Sequence, residues 1–316
     1  MASQSLASRV AIKIPVQTLL SPFSKRGVKI IKSDPAASVS SHKGWAFPDT
    51  EQGICSAIPQ GATHLWANTI LFNSHPLQTS SKLTPLVSEI YVVGQPPSLV
   101  ENFDDKAYLN DKLRELGRYT LPSSWVVSPK DFSEVINKIN SYPIVGKPQH
   151  IQTLLHESPL VMLEEFLAGE EATITVMPPT RDRPQHWSML PVTRFNHAEG
   201  IAPYNGVVAV TANSRAISPN ELKDPAYEKV MRECESVAAL IGATAPIRVD
   251  VRRFAEGSDF ALLDINMKPV DRGAKTRRVF TAIAASAMGW DYSTLLQNIL
   301  MGTQPLNVFR NYKSPF

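Results

Sequence analysis

Residues 246–269 read PIRVDVRRFAEGSDFALLDINMKP, and no other stretch limits the fold as tightly. Two apolar, strand-like runs flank the turn AEGSD, the pattern of a β-hairpin. With Gly257 at the turn's centre, Asp250 falls opposite Asp264 and Arg248 opposite Asn266. Side chains alternate along a strand, so these four share one face, while Ile247, Val249 and Val251 oppose Leu263, Ile265 and Met267 on the other. The apolar face is the expected core. The polar face brings two carboxylates within roughly 5 Å of each other at Cβ, a repulsion that calls for a cation. One answer is a divalent ion: two carboxylates and an amide oxygen are hard donors that suit Mg²⁺, which prefers carboxylates combined with substrate phosphates. The other is a solvated face neutralised by Arg248 and Arg252. A slip of one residue in register would undo either arrangement.

The chain has 316 residues, 43% hydrophobic and 19% charged, enough for two or three lobes with substantial cores. A net charge of +3, without a long Lys/Arg run, argues against a nucleic-acid partner. Cys55 and Cys234 are the only cysteines, which excludes a disulfide framework and points to a reducing compartment, the cytoplasm. No apolar stretch approaches the roughly 18–20 residues of a membrane helix. The first 33 residues lack Asp and Glu, a composition that overlaps with an organelle transit peptide, although SRVAIKIP also reads as a first strand.

Residues 1–101 interleave short strands (RVAIKI, GVKIIK, HLWANTILF, EIYVVG) with a short helix in TEQGICSAI, as in a small α/β lobe. DDKAYLNDKLRELG is a helix with Tyr108, Leu109, Leu113 and Leu116 at apolar spacing and Gly117 as its stop. SSWVVSPKDFSEVINKINSYPIVGKP reads strand, helix, strand, and LVML leads through EEFLAGEE into ATITVM. Residues 226–241 form a second long helix closed by Gly242, and TAIAASAMGWDYSTLLQNIL is helical with a break near Gly289.

Other segments could meet a nucleotide. Lys147 ends the strand of YPIVGKP and Lys106 opens a helix; lysine is a compact charge suited to phosphate, though a single lysine is as well explained as surface. The stretch VMLEEFLAGEE carries Glu164, Glu165, Phe166 and Leu167 at a strand end and Glu171 at the next strand start. Such an interstrand hinge can offer adenine a backbone C=O and N–H, and a carboxylate can accept from ribose hydroxyls. A hairpin with solvated glutamates is the plainer alternative.

In this order, DDK, YPIVGKP, LEEFLAGEE, IRVDV, LLDINMKP and AIAASAMGWDYSTLL resemble the ATP-grasp superfamily, and within it the D-alanine–D-alanine ligase branch, over about residues 100–300. The resemblance implies α/β and α+β architecture in three lobes with ATP between two antiparallel sheets: 1–101, 102–180 and 181–316. It implies Lys106 and Lys147 on phosphates, Glu164, Glu165, Phe166 and the Leu167 backbone at adenine, and Glu171 at ribose. Asp250, Asp264 and Asn266 would hold two Mg²⁺ ions, with Mn²⁺ able to substitute, and Arg248, Lys147 and the Gly273 N–H would act at the reacting groups. Glu51 and His75 resemble substrate-contacting positions in the first lobe. The implied chemistry joins a small carboxylate to an amine, with amino acids as the expected substrates; a homodimer is in keeping with such relatives. Three departures stand out. Only 16 residues separate Pro148 from Glu165, with no glycine-rich phosphate-covering loop; 192–215 lacks a lysine, leaving Arg194 or His197; and VDRGAKTRRVF replaces the usual strip after the hairpin. Nucleotide binding without turnover, or phosphorylation of a small molecule, are the rival expectations.

Overall fold

The acidic hairpin forms one edge of a six-stranded antiparallel sheet, to which two three-stranded sheets are added. The structure is a computed structural model that describes residues 27–37, 44–67, 70–128, 130–140, 143–148, 160–195, 213–267 and 280–316. The expected strand RVAIKI lies outside them.

The first sheet starts after α1 (Glu51–Ala57), whose N-cap Thr50 accepts from the Gly53 N–H. Strands β1 (His64–Trp66) and β2 (Tyr91–Val93) run parallel, with α2 (Pro76–Thr79) between them in the chain. GVKIIK, expected as a strand, runs as turn and irregular chain: its alternation finds no partner strand among the described residues. Of HLWANTILF, His64–Trp66 is strand and Asn68 and Thr69 lie outside the described residues.

Two helices then lead toward the site: α3 (Pro97–Phe103) and α4 (Lys106–Glu115). Asp105 caps α4, accepting from the N–H groups of Ala107 and Tyr108, and Gly117 leaves the helix at a φ of 64°. The buried stripe of α4 is Ala107, Leu109, Asn110 and Leu113. Tyr108 and Leu116, expected in it, are exposed: Leu116 is already the C-cap, and Tyr108 lies beside Phe103 under the Lys112 ammonium.

The second sheet is small and antiparallel. It is formed by β3 (Ser124–Val127), β4 (Ile144–Pro148) and a central β5 (Val161–Glu165), with α5 (Phe132–Lys138) after β3. The third sheet holds β6 (Glu171–Met177), β7 (Trp187–Ser188), β8 (Val192–Arg194), β9 (Ser214–Ala216), β10 (Ile247–Arg253) and β11 (Phe260–Asn266). Its order is β11-β10-β6-β8-β9, with β7 also on β6.

One face of this large sheet is apolar. Ala172, Ile174, Val176, Ile247, Val249 and Val251 pack against Tyr227, Val230, Cys234 and Val237 of α6 (Pro225–Leu240), and Leu99, Phe103, Leu109 and Leu113 of α3 and α4 join the same core. Full burial of side chains of this size contributes about 1.5–3 kcal/mol each, before the entropy cost of ordering them. Helix α7 (Phe280–Ala287) and, past Gly289, α8 (Tyr292–Met301) pack with Met177, Met189 and Val192 in a second core.

The chain then returns to its beginning. Strand β12 (Gln304–Pro305) pairs with β2, and α9 (Leu306–Arg310) places Leu306 and Phe309 among Ile54, Leu77, Leu83 and Val92. Hydrogen bonding therefore groups the final residues with the first lobe, and β6 with the large sheet rather than with the small one before it.

Candidate active site

The hairpin pairs as its alternation requires: Arg248 opposite Asn266, Val249 opposite Ile265, Asp250 opposite Asp264. Beyond Asp250 the register shifts and Val251 meets Leu262, so Leu263 is the extra residue of a β-bulge. The expected pairing of Val251 with Leu263 is corrected accordingly. Leu262 takes the core position and Leu263 is half-buried. The bulge leaves the acidic pair in register while re-aiming the strand just past it.

The polar face of the sheet is built from four strands and two helices. Thr173 of β6 pairs with Asp250 in register and donates its hydroxyl to Asp250 Oδ1 at 2.7 Å. Arg248 Nε lies 3.5 Å from the same oxygen, and Arg194 Nη2, from β8, 3.7 Å. Arg194 also pairs with Glu171 Oε1 at 2.6 Å, with its side chain only 3% exposed. Lys106, in the first turn of α4, brings Nζ to 2.9 Å from Asp264 Oδ1. Asn266 lies between the two acids, its Nδ2 3.4 Å from Asp250 Oδ2 and 3.4 Å from Asp264 Oδ2. The guanidinium groups of Arg194 and Arg248 lie over one ring, that of Phe280, at 4.5 and 5.5 Å from its centroid.

Arg252 does not neutralise the aspartates. It pairs with Glu171 Oε2 at 3.9 Å, donates to the Gly169 carbonyl at 3.2 Å and lies over the Phe166 ring. Burial pushes its pKa down, and the neighbouring Glu171 pushes it up. Among the described residues, Lys106, Arg194, Arg248 and Arg252 thus face Asp250, Asp264 and Glu171, an excess of one positive charge. Removing such charges from water is costly unless they are paired, and here they are. The excess suits a polyanion.

The hinge between the two antiparallel sheets follows β5. Glu164 is buried, and a Glu165 carboxylate oxygen accepts from the Ser123 N–H at 3.3 Å. The Phe166 N–H donates to Pro143, the Ala168 N–H to Phe254 and the Gly169 N–H to Arg253. Leu167 is buried between them, and among the described residues its N–H has no acceptor. Gly169 is required here by space: a Cβ would lie 2.6 Å from Arg253 Cβ and 2.7 Å from the Ala255 carbonyl. The close approach locks the hinge onto the end of β10.

Apart from Glu164, Glu165, Phe166 and Leu167 at the hinge, the expected residues fall into three groups. Arg248, Asp250, Asp264, Asn266, Lys106 and Glu171 come together on the large sheet's polar face. Glu51 and His75 are engaged inside the first lobe. Glu51 accepts from the Ser80 hydroxyl at 2.7 Å and pairs with Lys82 at 2.8 Å; His75 caps α2 through Nδ1, which accepts from the Leu77 N–H, and meets Asp49 through Nε2 at 2.7 Å. The third group is Lys147, whose strand position opposite Met162 is described but whose side chain is not, together with Gly273, His197 and the segment 149–159, which lie outside the described residues. Thr173 and Phe280 were not anticipated, although the alternation of Glu171, Thr173 and Thr175 in EATITV would have placed Thr173 beside the acids.

For a metal, the donor set is two carboxylates and one amide. Among the described residues no group of three or more His, Cys, Asp or Glu forms a complete cage. A half-turn of the Asn266 amide would bring its oxygen between the acids. Hard oxygens of this number fit Mg²⁺ that takes its remaining ligands from a bound phosphate chain and water. Among the described residues, no helix is long and apolar enough to cross a membrane.

No family model matches the chain. It is 26% identical over 184 residues to a D-alanine–D-alanine ligase of Gloeobacter violaceus, covering 57% of this chain and 55% of that protein. It is 25% identical over 141 residues to the D-alanine–D-alanine ligase of Actinobacillus succinogenes, covering 45% of this chain and 41% of that one. The matches thus span about half the length of these relatives. The Bacillus anthracis D-alanine–D-alanine ligase superposes with a TM-score of 0.61 at 17% identity, over 98% of this chain and 97% of that one. The same enzyme complexed with ATP gives 0.55 at 16% identity, over 84% and 85%. The chain has the ATP-grasp fold and is related to the D-alanine–D-alanine ligases.

Proposed function

We propose that this chain is an ATP-dependent ligase that joins a small carboxylate, such as that of an amino acid, to an amine. The observation that carries the reading is the in-register pair Asp250 and Asp264, with Asn266 between them and Arg248 on the same face. The relation to D-alanine–D-alanine ligases supports it.

In this reading Lys106 and Lys147 bind phosphate oxygens, the Leu167 backbone and Glu164 meet adenine with Glu165 and Phe166 shaping that pocket, and Glu171 turns toward ribose. Asp250, Asp264 and Asn266 would hold two Mg²⁺ ions, which when bound neutralise and align the phosphate chain. The substrate carboxylate oxygen attacks the γ-phosphorus, ADP leaves, and an acyl phosphate results. The amine nitrogen then adds to the acyl carbon, phosphate departs, and the nitrogen loses a proton to leave an amide. Arg248 and the Gly273 N–H stabilise the oxyanion formed in that step.

Incubation with ATP, Mg²⁺ and a panel of amino acids tests this: phosphate release should depend on the amine and fall at least tenfold in Asp264→Ala and Lys147→Ala. Release indifferent to both substitutions contradicts it. A second reading, nucleotide binding without turnover, is favoured by one sequence feature, the lack of a glycine-rich run in the 16 residues between Pro148 and Glu165. Calorimetric ATP binding with no phosphate release for any amine would select it.

A further inference from the structure

The two acids of the hairpin are held in different ways. Asp250 Oδ1 is fixed from within the sheet by the Thr173 hydroxyl at 2.7 Å, Arg248 at 3.5 Å and Arg194 at 3.7 Å, and its side chain is 9% exposed. Both arginines are further steadied over the Phe280 ring. Asp264 is more open, at 23%, and its Oδ1 is met at 2.9 Å by Lys106, whose own side chain is 29% exposed. A lysine ammonium on a flexible four-carbon stem changes partner at little cost; strand-borne, ring-stacked guanidinium groups do not.

Resting on the reading above, we infer that Lys106 is a charge latch on Asp264, and that a divalent cation reaches the acidic pair only when a bound triphosphate draws the lysine away. An ammonium 2.9 Å from Asp264 Oδ1 stands where a metal ion on that oxygen would stand, and the two cations repel. Phosphate oxygens remove the conflict by giving Lys106 other acceptors. Nucleotide and metal then strengthen each other's binding, and the coupling is reciprocal. Without nucleotide the carboxylates stay neutralised, so the site does not gather free divalent ions that would hold it in an unproductive state.

The test uses the whole chain and Mn²⁺ as the probe, with free Mn²⁺ read by electron paramagnetic resonance, with and without a non-hydrolysable ATP analogue. Wild type should bind Mn²⁺ on the order of tenfold more tightly when the analogue is present. Lys106→Gln should shift the two affinities in opposite directions: Mn²⁺ alone binds on the order of tenfold more tightly, and the analogue binds more weakly. Lys106→Arg, which keeps the charge, should resemble wild type toward Mn²⁺ alone. A purely structural role for Lys106 would weaken both interactions, and thermal melts of each variant check that it is folded. If Lys106→Gln leaves nucleotide-free Mn²⁺ affinity unchanged or lowers it, while wild type still shows analogue-dependent Mn²⁺ binding, the latch is overturned and the proposed function stands. If wild type shows no analogue-dependent Mn²⁺ binding, the proposed function fails and the latch with it.

Discussion

The acidic hairpin and the Glu51–His75 region both concentrate polar side chains, but they satisfy them differently. On the large sheet, Asp250 and Glu171 are buried: Arg194 and Thr173 reach Asp250, and Arg194 and Arg252 reach Glu171, from other strands, while Arg248 meets Asp250 from two residues away on the same strand. In the first lobe, Glu51 and His75 take partners from the same local region (Asp49, Leu77, Ser80 and Lys82), and the Glu51–Lys82 pair is open to solvent. Burial and mutual dependence mark the hairpin as the place where charge is concentrated for a purpose. Satisfaction by near neighbours in the chain is what stability alone requires.

The sharpest way to break this comparison is to remove a buried cation. Arg194→Leu leaves Glu171 without its 2.6 Å partner and should destabilise the protein by about 3–5 kcal/mol in urea unfolding. A cost no larger than that of a first-lobe substitution would erase the distinction. Next comes the hinge: Gly169→Ala drives a methyl group into the Arg253 and Ala255 backbone region and should cost about 1–3 kcal/mol, with nucleotide affinity falling as the hinge shifts. His75→Ala removes only a cap on a short helix and its Asp49 contact, and should cost about 1 kcal/mol in the same assay.

The smallest effect belongs to a peripheral carboxylate. Arg215 and the Ser218 N–H hold Glu221 down from 4.5 to about 2. A depressed carboxylate pKa stabilises the folded state above the unfolded value, and that contribution is lost as pH falls through the folded one. The stability gap between wild type and Glu221→Gln should therefore be constant near neutrality, narrow below about pH 4.5 and close near pH 2.

How much of this was legible in the sequence depended on the range of the interaction. The pairing of Asp250 with Asp264 could be read because strict alternation and one turn glycine set the register locally. The bulge at Leu263 could not, since FALL, before Asp264, carries no polar residue to mark which apolar side chain drops out. Helix α4 and its stop at Gly117 were local and visible; the ion pair from Lys106 to Asp264 joins distant segments and was not. Arg194 was considered only as a stand-in for an absent lysine, while its burial between Glu171 and Asp250 needed the β6–β8 pairing to appear. GVKIIK misled because alternation reports amphipathic character and not the presence of a neighbouring strand.

The central claim is that the hairpin's acids form the magnesium cradle of a triphosphate site. Calorimetric titration of wild type and Asp250→Asn/Asp264→Asn with an ATP analogue, in Mg²⁺ and again in excess chelator, tests it most directly. The account predicts that Mg²⁺ tightens binding to wild type at least tenfold and that the double variant, still folded, loses this dependence. Equal Mg²⁺ dependence in the two proteins would contradict it.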